Sequence, residues 1–479
     1  MSDPGIVLNG INALTGEYLV QPMTLGEAAI RARGTPPPAE QVKWLRWLVQ
    51  RLSGRFFGLP MDVEPTDLAQ SGWAVVFTPD TPQAVRQALQ PLIDLRGRQV
   101  PPDRHKVLEY KPGETREAWL AKYGAHGADV LPTRIPYYLM LVGSPEVIPF
   151  EFQFLLDIDY AVGRVAFDRP EDYGRYAEAV VAYETAAVAA NSKEVVYWAT
   201  QHDEDPATQL SADSLVRPLS EGLPAAGGDP AQLAIAARMK YRTRCLLGEE
   251  ATRANLLEVL HSRQQPPPAM LFTASHGMGG WPKGDARQRP TSGALLCQDW
   301  PGFGRIKPEH YLTANDVEAD ARLQGLVAFV FACYGAGTPR YDPFLLDRAG
   351  GPVEIAEAPF VAALAQRMLA GGALAVIGHV ERAWAYSIQP QGVGAQLQPF
   401  RNLIGRVLAG DPIGHTTIDF SQRYATYSTE LLSKLDSSLP AARLPTDAEL
   451  VRAWIVRNDA QNYLVLGDPA VRLRVGELR

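Results

Sequence analysis

Cysteine is scarce in this sequence. Cys245, Cys297 and Cys333 are the three cysteines among 479 residues. An odd number of cysteines without the paired spacing of metal ligands argues against a disulfide framework and against a zinc site. The cysteines are therefore either inert buried side chains or free thiols that are available for chemistry.

The sequence also lacks a long hydrophobic run and an excess of positive charge. No segment reaches the length that spans a bilayer, and residues 1–5 lack the basic and apolar regions of a secretory signal. There are 46 basic and 53 acidic residues, which gives a net charge of −7, whereas nucleic acids and anionic membranes attract basic surfaces. We therefore predict a cytoplasmic protein with no membrane or nucleic-acid partner.

The composition is that of a folded protein with more than one subdomain. Hydrophobic residues make up 46% and charged residues 21% of the chain, as in ordinary globular proteins. Because 479 residues exceed what one core usually serves, we predict an amino-terminal extension at 1–67, an α/β subdomain at 68–230 and a larger subdomain at 231–479. A predicted helix in the extension places Trp44 and Trp47 on one face, which is predicted to pack on the main body, with partner binding as the alternative.

Two apolar segments carry the residues of greatest chemical interest. Residues 269–277 and 325–337 each read as a buried parallel strand, and they break at His276-Gly277 and at Cys333. Open α/β sheets place their ligands at the carboxyl ends of such strands. The interval of 333 − 276 = 57 positions leaves room for the crossover that parallel neighbours require. If the strands are neighbours, imidazole and thiol emerge side by side.

Strands and helices alternate along the rest of the chain. This pattern predicts an α/β fold with a mostly parallel sheet and helices on both of its faces. The predicted strands outside the two described above lie at residues 73–77, 137–143, 159–165, 194–200 and 373–380. Glu381 and Trp384 follow the last of these on the same edge as the predicted site. Both are candidates for substrate binding, with a packed aromatic as the alternative for Trp384.

Two motifs connect the chain to a known family. Residues 331–335 read Phe-Ala-Cys-Tyr-Gly, which keeps the Ala-Cys-x-Gly of caspases but not the preceding Gln. Residues 462–473 resemble a Leu-x-Gly-Asp-Pro-x-x-x-Leu ending, in which Asp468 is predicted to cap a turn that closes the fold. From about residue 135 onward, the chain resembles the caspase-like cysteine peptidases of the gingipain and CHAT types.

The resemblance implies a caspase-like fold and a cysteine endopeptidase. Amide hydrolysis needs a nucleophile, a proton donor and oxyanion donors, and we assign these to Cys333, His276 and the backbone N–H groups of Gly277 and Cys333. In arginine-cleaving relatives, an acidic residue that corresponds roughly to positions 201–213 of this chain lies at the bottom of the substrate pocket. Asp205 and Asp213 both qualify, with a solvated loop as the alternative reading, and cleavage after Arg or Lys is predicted.

The expected partners are a protein or peptide substrate and a regulatory or activating protein. The acidic stretch around Asp205 and the long connections at residues 281–315 and 338–359 favour an activity that is restrained until a loop or partner rearranges. Bacterial relatives act in signalling and antiphage defence, which the resemblance extends to this chain as an expectation. No cofactor is predicted, and no ligand pattern indicates a structural calcium ion.

A second class of function is a catalytically silent, caspase-like scaffold. Such a protein would bind partners through the helix that carries Trp44 and Trp47. The presence of both His276 and Cys333 argues against this alternative, because a scaffold needs neither residue.

Overall fold

A single large sheet organises the part of the chain that the structure describes. The computed structural model describes residues 6–7, 9–34, 58–125, 129–224, 231–261, 265–318, 321–346, 351–384, 388–389, 394–435 and 444–479. Within these residues ten strands join in the order β2-β1-β3-β4-β10-β9-β8-β7-β5-β6. The strands are β1 (Trp73–Phe77), β2 (His105–Glu109), β3 (Tyr138–Val142), β4 (Ala161–Val165), β5 (Ser192–Ala199), β6 (Arg242–Leu247), β7 (Pro268–Ala274), β8 (Val327–Phe331), β9 (Ala375–His379) and β10 (Tyr463–Gly467).

The sheet consists of two parallel halves that run in opposite directions. Strands β1–β4 and β10 are mutually parallel and form the first half, and β5–β9 are mutually parallel and form the second half. The halves meet where β9 and β10 pair antiparallel. The carboxyl ends of the second half therefore lie at the same edge of the sheet as the amino ends of the first half. The predicted fold class, a mostly parallel sheet in an α/β protein, is confirmed.

Burial explains which strands the sequence predicts. The central strands β7, β8 and β9 are buried along their whole length, so their sequences are continuous apolar runs and not alternating ones. The edge strands β2 and β6 are partly exposed, and polar or charged residues occupy half or more of their positions. They lack an apolar run, which is why the sequence did not reveal them.

Helices flank the sheet and connect its strands. Among the described residues, the helices of seven or more residues are α1 (Leu25–Gly34), α2 (Gln83–Gln99), α3 (Arg116–Lys122), α4 (Phe150–Leu156), α5 (Pro170–Thr185), α6 (Arg253–His261), α7 (Ala363–Ala370), α8 (Gln398–Ala409), α9 (Ile418–Lys434) and α10 (Asp447–Gln461). Helix α10 begins with a capping box, in which Thr446 and Glu449 each bind the backbone N–H of the other. In the described part of the chain, no helix has the length and apolar character that crossing a membrane requires.

Short elements complete the fold. In the described part of the chain, the helical segments of four to six residues are Leu68–Ser71, Pro206–Ser211, Ala212–Val216, Arg217–Glu221, Ile235–Arg238, Gln288–Thr291 and Ile413–Thr416. Small two-stranded pairs join Ile11–Asn12 to Met278–Gly279, Gly222–Leu223 to Gln232–Leu233, Leu295–Leu296 to Tyr311–Leu312, Gly337–Thr338 to Phe360–Val361, and Tyr341–Leu346 to Pro352–Glu354. The first of these pairs brings the amino-terminal residues next to β7.

The two predicted subdomains share the sheet. Strand β5, from the predicted subdomain 68–230, lies in the second half between β6 and β7, whereas β10, from 231–479, lies in the first half beside β4. The boundaries at 67 and 230 stay predictions. Trp44 and Trp47 lie outside the described residues.

The carboxyl-terminal motif closes the fold as a buried anchor. The Asp468 side chain is fully buried. Its Oδ1 accepts hydrogen bonds from the Trp73 indole at 2.9 Å and the Ala470 N–H at 3.1 Å, and its Oδ2 accepts one from Arg96 Nε at 2.7 Å. The predicted turn is thus tied to β1 and α2, and the motif follows directly on β10, a strand that the sequence did not reveal.

Candidate active site

The two predicted site strands are adjacent and parallel. In the register of β7 and β8, Ala274 is opposite Phe331, and the Ser275 N–H donates to the Phe331 carbonyl at 3.2 Å. His276 and Cys333 each follow two positions after these paired residues. The predicted pairing is confirmed, and it places imidazole and thiol at one edge of the sheet.

Gly277 lets the two strand ends pack backbone to backbone. A Cβ atom at this position would lie 1.8 Å from the Cys333 carbonyl oxygen and 2.8 Å from its nitrogen. No side chain fits such a gap, so a glycine is required for close approach. The N–H of Gly277 is also placed to interact with the Cys333 sulfur.

The Cys333 thiol is buried and protonated at neutral pH in this structure. The residue is 2% exposed, and its S–H points to the Ala383 carbonyl at 3.9 Å. Burial, and then the carboxyl group of Glu381, raise the pKa of this thiol to about 12, although the Arg382 charge and the Gly277 N–H act in the opposite direction. A thiolate at neutral pH therefore requires a change in these surroundings.

Asp205 binds the His276 imidazole. Its Oδ2 lies 2.7 Å from His276 Nε2 and accepts a hydrogen bond from Thr208 Oγ1 at 2.8 Å. Its Oδ1 accepts from the Ala207 N–H at 3.2 Å and from the Tyr18 hydroxyl. Burial alone would raise the pKa of Asp205, but the His276 charge and these hydrogen bonds outweigh it and hold the pKa well below its usual range.

Asp205 thus differs from the pocket residue that the sequence analysis expects. Both of its oxygens are hydrogen-bonded inside the protein, and the residue is 6% exposed. Its contacts are those of a residue that fixes the orientation and tautomer of a histidine. A signal for this position exists in the sequence, because Asp205-Pro206 is a helix start, and Asp205 caps the segment Pro206–Ser211.

Two of the three other predicted substrate-binding residues lie in different surroundings. Asp213 is on the surface, where its carboxylate binds Arg217 Nε and Gln201 Nε2, each at 3.0 Å. Trp384 is fully buried, and its ring lies 4.4 Å from that of Phe344. These contacts match the alternatives of a solvated acidic residue for Asp213 and a packed aromatic for Trp384.

Glu381 is a buried carboxyl group close to Cys333. It is 1% exposed, and neither of its carboxyl oxygens has a hydrogen-bond partner. The nearest cation is Arg382, whose Nε lies 3.5 Å from Oε1. Burial raises the pKa of Glu381 well above its usual range. The carboxyl group is therefore held without the ligands that a buried charge needs.

The backbone that holds Glu381 and Cys333 together is strained. Tyr334, which follows the cysteine, has φ +60°, and Glu381 has φ +85°. The Tyr334 N–H donates to the Glu381 carbonyl at 2.5 Å. Residues without glycine's freedom adopt this region at a cost of about 1–3 kcal/mol and cluster at functional sites. The strain thus marks the exits of β8 and β9 as one structural unit.

Tyr18 and His202 lie next to the predicted pair of catalytic residues, Cys333 and His276, which we call the dyad, and no sequence pattern points to either of them. The Tyr18 ring lies edge-on to the His276 ring, with 5.8 Å between centroids. His202 is buried, its Nε2 has no hydrogen-bond partner, and burial followed by the His276 charge lowers its pKa to about 4. Because Tyr18 is 187 positions from Asp205 in the sequence, no local sequence pattern predicts their contact.

Comparison with known families decides the class of this site. The model of peptidase family C25 matches residues 74–474. The chain belongs to peptidase family C25. This C25 protein is accordingly a cysteine protease, and the predicted resemblance to gingipain-type peptidases is confirmed.

Solved structures show more distant similarity to this C25 protein. A structure titled "Structure of Protease" is 13% identical, with 84% of this chain and 78% of that chain covered and a TM-score of 0.48. A complex of the Porphyromonas gingivalis RgpB pro- and mature domains is 11% identical, with 84% and 80% covered and a TM-score of 0.40. A Saccharomyces cerevisiae separase–securin complex is 10% identical, with 69% and 15% covered and a TM-score of 0.32. No curated protein sequence matches the chain.

Proposed function

We propose that Cys333 is the nucleophile of this cysteine endopeptidase and that His276 is its proton donor. The observation that supports this assignment is the register of β7 and β8, which places both residues two positions after a paired strand end. Cys245 and Cys297 lie elsewhere, on the edge strand β6 and after the short strand Leu295–Leu296. Cys245 lies inside β6 and not at its end, and Cys297 follows a two-residue strand outside the large sheet, where its N–H donates to the His310 carbonyl at 2.8 Å.

The roles follow from the chemistry of amide hydrolysis. The Cys333 thiolate attacks the carbonyl carbon, and the oxyanion is stabilised by the N–H groups of Gly277 and Cys333. The C–N bond then breaks as His276 gives a proton to the leaving amine, and water hydrolyses the thioester. Asp205 holds Nε2, so the proton that reaches the amine is carried by Nδ1.

We further propose that Glu381 gives the site its preference for Arg or Lys. Of the three acidic candidates, Asp205 is saturated with hydrogen bonds and Asp213 is paired with Arg217 on the surface. Glu381 is buried beside the thiol, and both of its oxygens lack hydrogen bonds. A guanidinium or ammonium group of a substrate would supply charge-assisted donors to these oxygens.

A panel of peptides with Arg, Lys, Asp, Leu or Ala at the cleaved position tests both assignments. We expect Cys333→Ala to abolish turnover and Glu381→Gln to lower kcat/KM for Arg and Lys peptides by about 100-fold. Asp213→Asn is the matched control, and we expect it to leave the preference unchanged.

Three results would contradict these proposals. Turnover by Cys333→Ala would exclude the nucleophile. A wild-type preference for Asp or Leu would exclude Glu381 as the specificity residue. A wild-type protein that binds partners but cleaves no peptide at high enzyme concentration would favour the silent scaffold. The expected setting in signalling or antiphage defence stays a prediction.

A further inference from the structure

An amino-terminal segment lies across the candidate site. We call residues 9–20 the strap. Its short strand Ile11–Asn12 pairs in parallel with Met278–Gly279, and the Ala13 N–H donates to the Gly279 carbonyl at 3.0 Å. Because Met278 is two positions after His276, this pairing places the strap directly beside the dyad.

Tyr18 connects the strap to the dyad itself. Its hydroxyl donates to Asp205, and its ring contacts His276 edge-on. Burial, then Asp205 and, to a smaller degree, Cys333 raise the pKa of Tyr18, so the phenol is near both the acid and the thiol. Tyr18 is partly exposed, whereas His276 and Cys333 are 3% and 2% exposed. The partly exposed residue therefore forms an outer layer over the buried pair.

The strap is fitted closely to its surroundings. Ile11 and Ala13 are buried in a small apolar cluster with Met278 and Trp300. At Gly10 in the strap, a Cβ atom would lie 3.2 Å from the Arg382 side chain. The strap thus bridges the exits of β7 and β9, the two strands that flank β8 in the sheet.

Close packing also explains why the second position of the strap that carries glycine, Gly16, requires this residue. Gly16 has φ +75°, and a Cβ atom there would lie 2.0 Å from the Gly304 carbonyl oxygen. The turn therefore needs glycine both for its conformation and for its approach to the loop after Trp300.

We propose that the strap is a built-in cover of the Cys333–His276 site and that a peptide enters only after the strap is displaced. The inference rests on the proposed function, because it takes these two residues as the dyad. A reacting carbonyl has to come within about 3–3.5 Å of the sulfur, and a thiol as deeply buried as Cys333 leaves no such space. The strap is held by one short strand pair, a small apolar cluster, the Tyr18 phenol and the packing of Val20 in the cluster that contains Trp384 and Trp454. Its opening is a local event that leaves the large sheet intact.

Alkylation of Cys333 tests the cover without reference to peptide hydrolysis. The full chain is treated with iodoacetamide at pH 8, and the labelling rate of each cysteine is read by mass spectrometry of its peptide. We expect Ile11→Asp and Tyr18→Ala to raise the Cys333 rate by about tenfold or more over wild type. Ile30→Asp is the matched control, because Ile30 lies in α1 after the strap and is 68% exposed; we expect no change. The half-buried Cys245 and the buried Cys297 serve as internal references.

The outcomes separate the cover from the proposed activity. Equal Cys333 rates in wild type and both strap variants would overturn the cover. Tyr18→Phe keeps the ring and removes the hydrogen bond to Asp205. It provides a milder comparison if Ile11→Asp fails to fold. An unchanged Cys333 labelling rate in both Tyr18→Phe and Tyr18→Ala would again overturn the cover. Faster labelling of Cys333 without peptide cleavage would support the cover and contradict the peptidase assignment.

Discussion

Two buried charge clusters in this protein have opposite hydrogen-bonding states. In the anchor cluster, Arg96 donates from Nε to Asp468 and from Nη1 and Nη2 to Glu184, all at 2.7 Å. In the dyad-side cluster, Arg382 donates from Nη2 to Asp342, but its Nε and Nη1 and both oxygens of Glu381 have no hydrogen-bond partner. Both arginines are essentially inaccessible to solvent.

The difference separates a cluster that holds the fold from one that lies beside the candidate site. Burying charge is costly unless every polar atom is paired. The anchor cluster meets that condition and joins the carboxyl-terminal motif to α2 and α5. The dyad-side cluster does not meet it, and it lies next to Cys333, the proposed nucleophile, at the strained exit of β9. A carboxyl group without hydrogen bonds at that position is consistent with the proposed role of Glu381 in binding a cationic substrate side chain.

The largest expected effect comes from breaking the anchor cluster. Arg96→Met leaves Glu184 and Asp468 buried without their cation, and we expect unfolding in urea to require about 3–5 kcal/mol less free energy. Arg217→Met removes an exposed pair with Asp213 and serves as the control, with an expected change of about 0.5 kcal/mol or less. Equal losses in the two variants would show that the anchor cluster is not special.

A smaller effect is expected from one hydrogen bond of the anchor cluster. Trp73→Phe removes the indole that donates to Asp468 at 2.9 Å and leaves one carboxylate lone pair unpaired, for an expected loss of about 1–3 kcal/mol. Trp281→Phe is a matched control, because its Nε1 is buried without a hydrogen-bond partner. Urea unfolding of both variants measures the difference, and a larger loss for Trp281→Phe would contradict the role given to the bond.

The smallest effect is a difference in the slope of stability against pH. For Glu184, burial raises the pKa, but the charge of Arg96 outweighs burial, and the pKa in the folded state lies below its usual value. For Glu381, burial is the larger effect and raises the pKa well above its usual value. The unfolded value is about 4.3. The contribution of Glu184 to the free energy of unfolding is therefore present above about pH 4.3 and is lost as the pH falls through its lower pKa in the folded state. Glu381 keeps its proton more firmly in the folded state, so it weakens the fold as pH rises above about 4.3.

Urea unfolding of two variants measures these slopes. Relative to wild type, Glu184→Gln should be least stable near neutral pH and should approach wild type in acid. Glu381→Gln should instead gain on wild type as pH rises. Slopes of the same sign would show that the two clusters do not differ in their electrostatics.

The sequence predicts most where burial leaves a simple pattern. Strands β7, β8 and β9 are almost entirely apolar, so the sequence predicts both the strands and the residues at their ends. Edge strands β2 and β6 could not be predicted, because half-exposed strands carry no such run. Strand β10 is not predicted from the sequence, because it has only five residues and is flanked by the polar residues Asn462 and Asp468.

The site was predictable to the extent that it follows from strand ends. His276 and Cys333 follow from two runs and one interval, and their adjacency then depends only on parallel pairing. The contact of Tyr18 with Asp205 depends on how a remote segment folds back, and no periodic pattern encodes it. The sequence also does not predict that the carboxyl oxygens of Glu381 lack hydrogen bonds, because this depends on how the surrounding donor groups are placed in the folded protein.

The position of β10 has a consequence for how the molecule is made. During synthesis every other strand of the sheet emerges first, yet β10 fills the gap between β4 and β9. Until it arrives, two apolar strands present unpaired edges, which are known templates for wrong association. A nascent chain thus holds two unfinished sheets, and the enzyme becomes whole in a late docking step that involves contacts between residues far apart in the chain.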